Sequence, residues 1–520
     1  IAGAGTGKTN TLAHRVAHLV LEGVDPARIL LLTFTRRAAQ EMVARAERIV
    51  GEALAARRPG GAVPAVRLPW AGTFHSVANR VLRSWHAAVG LDVAFSVMDR
   101  GDSADLLDVL RHQLGYSRLE RRFPRKDTCL AIYSHRVNTR WELGRVLRED
   151  FPWCAEWEQE LRALFGAYVE RKQANAVLDY DDLLLYWHAM SASAELARRV
   201  GDAFDHVLVD EYQDTNVLQA EILLRLKPDG AGLTVVGDDA QAIYSFRAAT
   251  VENILQFPRQ FRPEAEVVAL EENYRSTQPV LDAANALIGE GRLQYRKTLR
   301  ATRGGGSAPR LVTVTDDLAQ CRYVVEQVLQ GREAGTPLRR QAVLFRSSHH
   351  SDGLEVELLR RNIPYVKYGG LKFLEAAHIK DLLAVLRWAD NPRNGIAAFR
   401  VLQLMPGMGP ANADRCVSAL AAGGYDLAAL AGFRPPAAAR ECWDGLVGLL
   451  RALAPPGARW PGQVEQVRRW YQPLLEALYD APGVRAADLD MLERVSGQFA
   501  SRERFLTELT LDPPQATGDL

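Results

Sequence analysis

Hydrophobic and polar positions along the chain follow two alternating rhythms. Short β-branched or leucine-rich runs ending in polar residues occur at Arg28 to Thr33, Val207 to Asp210, Leu233 to Gly237, Val267 to Leu270 and Val343 to Arg346. Each has the length of a parallel strand buried on both faces. Between them lie stretches of helical period such as Ala38 to Val50 and Leu354 to Arg361. The alternation predicts a doubly wound α/β fold. Two long stretches interrupt it. Residues 79–177 and 392–505 carry almost no strand pattern and read as helices, the second punctuated at Pro455-Pro456-Gly457. The simplest arrangement is two α/β cores, each interrupted by a helical insertion. Glycine- and proline-rich loops are expected at Arg57 to Pro64 and Arg303 to Pro309. No repeat of fixed period is present.

Composition narrows this picture only a little. A chain of 520 residues is long enough for three or four compact domains, and 48% apolar with 24% charged residues is the make-up of a soluble globular protein. A net charge of +1 argues neither for nor against nucleic acid, because a basic groove can lie on a neutral protein. The five cysteines (Cys129, Cys154, Cys321, Cys416 and Cys442) are scattered and include no CxxC pair. That predicts a reducing, cytoplasmic setting and argues against a disulfide framework or a zinc site. No apolar run approaches the roughly 18 residues of a membrane span. The chain opens inside Ile1-Ala2-Gly3-Ala4-Gly5, so residue 1 reads as an internal point of a longer natural chain.

The chemistry begins at that opening. Ala2-Gly3-Ala4-Gly5-Thr6-Gly7-Lys8-Thr9 fits a phosphate loop with alanine in place of the usual first glycine. Its glycines let backbone N–H groups turn towards phosphates, Lys8 can reach the β- and γ-phosphates, and the Thr9 hydroxyl can ligate Mg²⁺. Alone, the pattern is also a glycine-rich turn before a helix. The run Val207-Leu208-Val209 delivers Asp210-Glu211 to the C-terminal end of a strand. There Asp210 can hold the metal and Glu211 can polarise an attacking water, although an acid pair also marks helix starts. Gly237-Asp238-Asp239-Ala240-Gln241 follows the next strand, and the Gln241 amide is suited to sensing a γ-phosphate, although Gly-Asp-Asp also favours turns. Glu272-Asn273-Tyr274-Arg275-Ser276 follows the run Val267 to Leu270, and Arg275 placed opposite the phosphates would stabilise developing charge. An isolated arginine is more often a surface ion pair.

In this order the residues resemble the motif series of the UvrD/Rep/PcrA group of superfamily 1 helicases. The phosphate loop stands as motif I, Thr33-Phe34-Thr35-Arg36-Arg37-Ala38-Ala39-Gln40-Glu41-Met42 as motif Ia and Gly72-Thr73-Phe74-His75-Ser76 as motif Ib. Asp210-Glu211-Tyr212-Gln213-Asp214-Thr215-Asn216 is similar to motif II. Val236 to Arg247 is similar to motif III and Glu272 to Thr277 to motif IV. The resemblance covers nearly the whole chain and implies a P-loop NTPase with two RecA-like cores, the second incomplete. It places core 1A at 1–78 and 178–262, insertion 1B at 79–177, partial core 2A at 263–391, insertion 2B at 392–505, and a return to 2A at 506–520. It implies ATP and Mg²⁺ held by Ala2 to Thr9, metal on Thr9 and Asp210, catalysis by Lys8, Glu211, Gln241 and Arg275, and adenine stacked on Tyr274. It also implies single-stranded DNA and single-strand/duplex junctions as partners, contacted by Phe34, Thr73, His75, Tyr244, Phe246 and Arg247. The implied function is an ATP-driven 3′-to-5′ helicase serving DNA repair or replication. Taken singly, Phe34 and Phe246 fit buried core positions better.

Some positions depart from the pattern. Asn10 replaces an arginine that packs over the adenine in many relatives, and Ala376-Ala377-His378 replaces a charged stretch. The chain ends at Asp512 to Leu520, where motifs V and VI are due, which predicts weak ATP hydrolysis by this piece. Pro406-Gly407-Met408-Gly409 reads either as a turn approaching duplex phosphates or as an ordinary turn between helices. Arg118, Arg121, Arg122, Arg125 and Lys126 fit a solvated face better than a phosphate contact. Two rival functions stay open: a helicase subunit of a RecB/AddA-type nuclease complex, and a non-catalytic DNA-binding piece.

Overall fold

The computed structural model describes residues 1–57, 67–119, 121–245, 248–367, 374, 376–454, 459–479 and 482–511. The loop expected at Arg57 to Pro64 lies almost wholly outside them. The chain divides into two units: Ile1–Ser307 together with Asp381–Asp512, and a smaller one containing Ala308–Lys380.

Eight strands occur among the described residues: β1 (Ile29–Thr33), β2 (Ala71–Thr73), β3 (Ser96–Val97), β4 (Val177–Leu178), β5 (His206–Val209), β6 (Leu233–Val235), β7 (Glu272–Thr277) and β8 (Arg300–Arg303). A parallel sheet of order β2-β1-β5-β6 forms the core of the first unit. Every residue of β1 is buried, as its Ile-Leu-Leu-Leu sequence requires of a strand covered on both faces. Ile29 and Leu31 point into one apolar cluster with Leu12, Val16 and Met42, from helices α1 (Lys8–Leu21) and α2 (Arg36–Arg57). Leu30 and Leu32 point into the other with Phe74, Val77 and Val81 of α3 (Phe74–Ser84). Truncating one of these leucines to alanine costs about 2–5 kcal/mol by the general cost of a core cavity.

The interval predicted helical from 79 holds α4 (Arg100–Gln113), α5 (Lys126–Thr139), α6 (Leu143–Glu149) and α7 (Glu158–Ala174). Its two ends are tied by a short parallel pairing of β3 with β4. The chain then enters α8 (Tyr180–Ala192) through a capping box, in which Asp179 and Asp182 each satisfy the other's backbone N–H. The later helical region packs on this insertion. Arg387 forms a buried ion pair with Asp102, Asn391 Nδ2 donates to Ser96 Oγ at 3.1 Å, and Arg83 pairs with Glu503 at 2.8 Å.

Two expectations are corrected. Of the run Val267 to Leu270, only Leu270 bridges, in parallel, to Ala2, and Val267 and Val268 are exposed. The run Val343 to Arg346 is not a strand, because no described neighbour pairs with it, and Leu344 stays 94% exposed. The segment 263–391, expected as one partial core, is shared between the two units. Its first part, through Ser307, joins the first unit by backbone hydrogen bonds to the chain's opening residues (Leu270 N to Ile1 O at 2.8 Å, Tyr274 N to Gly5 O at 3.0 Å). The smaller unit has its own modest core, where Val325 of the helix Asp317–Glu333 meets Leu354 and Leu358 of the helix Asp352–Arg360.

Candidate nucleotide site and nucleic-acid face

The phosphate loop is threaded between two neighbours. Ala2 N donates to Gly237 O at 3.0 Å on one side, and Asn273 Nδ2 donates to Ala4 O at 2.5 Å on the other. Gly5 and Gly7 adopt φ of +83° and +89°, where a side chain would be strained. A Cβ on Gly5 would also sit 2.7 Å from Arg275 Cβ. Gly7 caps α1 without a side-chain acceptor, which leaves the helix's first N–H groups available to an anion. Thr6 turns its hydroxyl back onto Gly3 O at 2.8 Å, closing the loop.

Lys8 and Thr9 open α1 and face the end of β5. Lys8 is buried with its ammonium 3.5 Å from Glu211 Oε2, and the Thr9 hydroxyl donates to Asp210 Oδ2 at 3.3 Å. Burial, then the neighbouring Glu211 charge, pushes the Asp210 carboxyl up to about 6. The same two causes push Asp214 up to about 7. Burial, together with the Glu211 charge, disfavours the ionised carboxylates here, and a divalent cation would offset both effects. The donors are oxygens, and Thr9 and Asp210 give the one or two protein ligands that Mg²⁺ takes alongside substrate phosphates. No group of three or more His, Cys, Asp or Glu among the described residues could hold a metal ion, so a cage made wholly of such side chains is absent there.

Gln241 donates from Nε2 to Asp238 Oδ2 at 2.6 Å. Arg275 lies exposed beside Gly5. Tyr274 is 59% exposed with its hydroxyl donating to Glu272 at 2.9 Å. Asn10 is exposed and its carbonyl is taken by His14.

The sequence-predicted DNA residues fall into three groups. Phe34 and Tyr244 come together, both half-buried, with ring centroids 4.7 Å apart and planes at 43°. Thr73 is buried, and its hydroxyl accepts from Ser76 N at 3.2 Å as the N-cap of α3, so its side chain shapes the loop from beneath. His75 is half-buried and packs edge-on against Tyr180. Phe246 and Arg247 lie outside the described residues. In the basic cluster, Arg121 pairs with Glu156 and Lys126 with Asp105, both at 2.5 Å, as a solvated face would. Gly407 takes φ +75° in a turn closed by Asn412 and anchored by buried Met408.

Three contributors carried no assigned role in the sequence reading. Asn273, Gln213 and Lys297 are buried at the site. The first two sit inside motifs, where position alone marks them. Lys297 has no pattern around it, and only the chain's return to Asp238 and Asp239 makes it visible. All five cysteines are free, and no helix of the described residues is long and apolar enough to cross a membrane.

Comparison with known proteins agrees with this geometry. The family model for the UvrD/REP helicase N-terminal domain matches residues 1–262, and that for the UvrD-like helicase C-terminal domain matches residues 268–424. The chain is similar to the ATP-dependent DNA helicase PcrA of Staphylococcus epidermidis, with 32% identity over 80% of this chain and 55% of the relative. It is similar to DNA helicase II of Escherichia coli, with 35% identity over 77% of this chain and 53% of the relative. The ATP-dependent DNA helicase UvrD1 of Mycobacterium tuberculosis is 35% identical over 81% of this chain and 54% of the relative. The chain spans about half the length of the curated relatives it matches. With the phosphate loop, the strand-borne acids and both matched domains in sequence order, the chain belongs to the UvrD/REP helicase family.

Proposed function

We propose that this chain is the motor portion of an ATP-driven DNA helicase that moves 3′ to 5′ along single-stranded DNA. The observation that carries the reading is the meeting of Lys8, Thr9, Asp210 and Glu211 at one loop, with Arg275 beside Gly5. These residues divide the work of phosphoryl transfer to water. Lys8 and the free N–H groups of α1 hold the β- and γ-phosphates of ATP. Thr9 and Asp210 would hold Mg²⁺, which supplies charge neutralisation on the phosphate oxygens when bound. Glu211 orients the attacking water and takes its proton, while Arg275 offsets charge on the transferred group. Gln241 reports whether the γ-phosphate is present, and Tyr274 stacks on the base.

Phe34 and Tyr244 supply stacking faces for successive bases, each worth about 1–3 kcal/mol without demanding a sequence. The acid pair and the stacking pair are joined through the sheet. Phe34 follows β1 and Glu211 follows β5, which are hydrogen-bonded neighbours, so a nucleotide-dependent shift at one strand end is felt at the other. Phosphate release from ATP by the full natural chain, with and without single-stranded DNA, tests this. Stimulation by DNA, abolished in Lys8→Ala and Glu211→Gln, is expected. Hydrolysis unaffected by both substitutions would refute it.

A further inference from the structure

Between Glu211 and Gln241 runs a continuous line of hydrogen bonds that the roles above leave unexplained. Gln213 is buried, and its whole amide is engaged. Nε2 donates to Glu211 Oε2 at 2.9 Å and to Asp214 Oδ2 at 3.3 Å, while Oε1 accepts from the backbone N of Asp238 at 2.9 Å. Asp238 then uses one carboxylate oxygen for Gln241 Nε2 at 2.6 Å and the other for Lys297 Nζ at 2.7 Å. Lys297 also pairs with Asp239, whose second oxygen accepts from Tyr295 N at 2.9 Å. The line needs a glycine at 237, since a Cβ there would lie 2.7 Å from Gln213 Oε1.

We propose that Gln213 and Lys297 are positioning residues for ATP hydrolysis: Gln213 fixes the Glu211 carboxylate relative to Gln241, and Lys297 holds the Asp238 carboxylate that orients Gln241. This rests on the ATPase reading above. The geometry gives each a distinct task. Glu211 has φ +51°, so its backbone alone does not favour this conformation, and the Gln213 amide is the only uncharged side-chain group hydrogen-bonded to its carboxylate among the described residues. An amide suits the task because it donates to Glu211 while accepting from Asp238, which no carboxylate in its place could do. The Lys297 ammonium lies between the carboxylates of Asp238 and Asp239, so one Asp238 oxygen is held by the lysine while the other accepts from Gln241. Because Gln213 bonds to the Asp238 backbone, displacement of Asp238 is transmitted to the water-orienting acid as well as to the γ-phosphate sensor.

The test measures DNA-stimulated phosphate release, KM for ATP and thermal melting in the full natural chain. Gln213→Met keeps volume and removes the hydrogen bonds. It is expected to lower kcat by about 10–100-fold, the scale of a misplaced catalytic group, with KM for ATP and melting little changed. Lys297→Met should act in the same direction, and Lys297→Arg should recover most of the loss. Because Lys297→Met strands two buried carboxylates, Gln213→Met carries the decision. Wild-type kcat in Gln213→Met would overturn the proposal. So would early melting with nucleotide affinity lost alongside kcat, which would assign Gln213 to packing. Lys8→Ala and Glu211→Gln serve as controls: if they too keep full activity, it is the ATPase reading that has failed.

Discussion

Two lysines of the first unit, Lys8 and Lys172, are each surrounded by acids and are handled in opposite ways. Lys172 of α7 is 2% exposed, with its ammonium 2.6 Å from both Asp179 and Asp182 and over the rings of Tyr133 and Tyr168. Asp181 beside them accepts from Asn138 and Ser134. Burial, then the Asp179 charge, holds Asp181 up to about 6 and Asp182 up to about 7. That cluster is sealed, so a proton is the cation that settles its surplus negative charge. Lys8 stands 3.5 Å from a Glu211 whose side chain is 30% exposed, and it has no closer carboxylate among the described residues. Here the surplus opens towards solvent, where a divalent cation with its phosphates can meet it. Both clusters carry more acid than base. What separates a structural network from a ligand site is whether the deficit is closed from within.

The largest expected effect breaks that comparison if it fails. Lys172→Met leaves Asp179 buried without its partner and should destabilise the protein by about 3–5 kcal/mol, the cost of stranding one member of a buried pair. Lys8→Met should change unfolding free energy by less than about 1 kcal/mol, because Glu211, the carboxylate it pairs with, is partly exposed and can rehydrate. Urea denaturation of both variants measures the difference, and equal losses would erase the distinction.

Ligand linkage sharpens the other half. ATP with Mg²⁺ at about 100 times its Kd should stabilise the protein by about 2.7 kcal/mol. Asp210→Asn should remove the part that depends on Mg²⁺. Thermal melting with nucleotide in Mg²⁺ and then in EDTA reads this directly. A shift of equal size in both solutions would mean that the acids at β5 hold no metal.

How far the sequence revealed these two clusters differs for a physical reason. The phosphate loop and the acids after β5 were legible because each is local: a glycine spacing, and a polar pair ending an apolar run. The paired Phe34 and Tyr244 were named from separate motifs, and only the fold, which brings the segments after β1 and β6 to one end of the sheet, shows that their rings meet. Lys172, Asp179 and Asp182 lie close in the sequence, on either side of β4, yet nothing in their spacing separates a buried triad from a solvated one. Lys297 was invisible, since its partners lie about sixty positions away. The runs Val267 to Leu270 and Val343 to Arg346 failed as strands because apolar pattern predicts the demand for a partner and not its supply.

The sealed cluster also predicts a pH dependence of opposite sign to the usual carboxylate case. The Asp181 carboxyl titrates at about 6 in the folded protein against an ordinary 3.8, so the folded state binds the proton more tightly than the unfolded one. Its contribution is fully present below about pH 4 and is lost as pH rises through about 6. Asp181→Asn removes the titration. The stability of the variant relative to the natural chain should therefore rise by on the order of 2 kcal/mol between pH 4 and pH 7. A pH-independent difference would show that Asp181 is ionised throughout.

The smallest effect tests whether the open cluster is held in an unfavourable state for the sake of its ligand. Burial raises both Asp210 and Asp214, the Glu211 charge adds to each, and the ion pair of Glu211 with Lys8 is loose. Glu211→Gln removes those two repulsions and one weak attraction while keeping a group that can accept from Gln213. The ligand-free protein should gain about 0.5–1 kcal/mol, in the range of gains seen when a functional compromise is relieved, and should lose hydrolysis. The same change at the sealed cluster, Asp179→Asn, should instead destabilise, because Asp179 is the acid that Lys172 holds ionised and that Tyr168 donates to at 2.8 Å. Opposite signs from two acid-to-amide substitutions, measured by denaturant unfolding without nucleotide, would set the open cluster apart from the sealed one. Matching signs would mean that Glu211 is bound as firmly into the fold as Asp179.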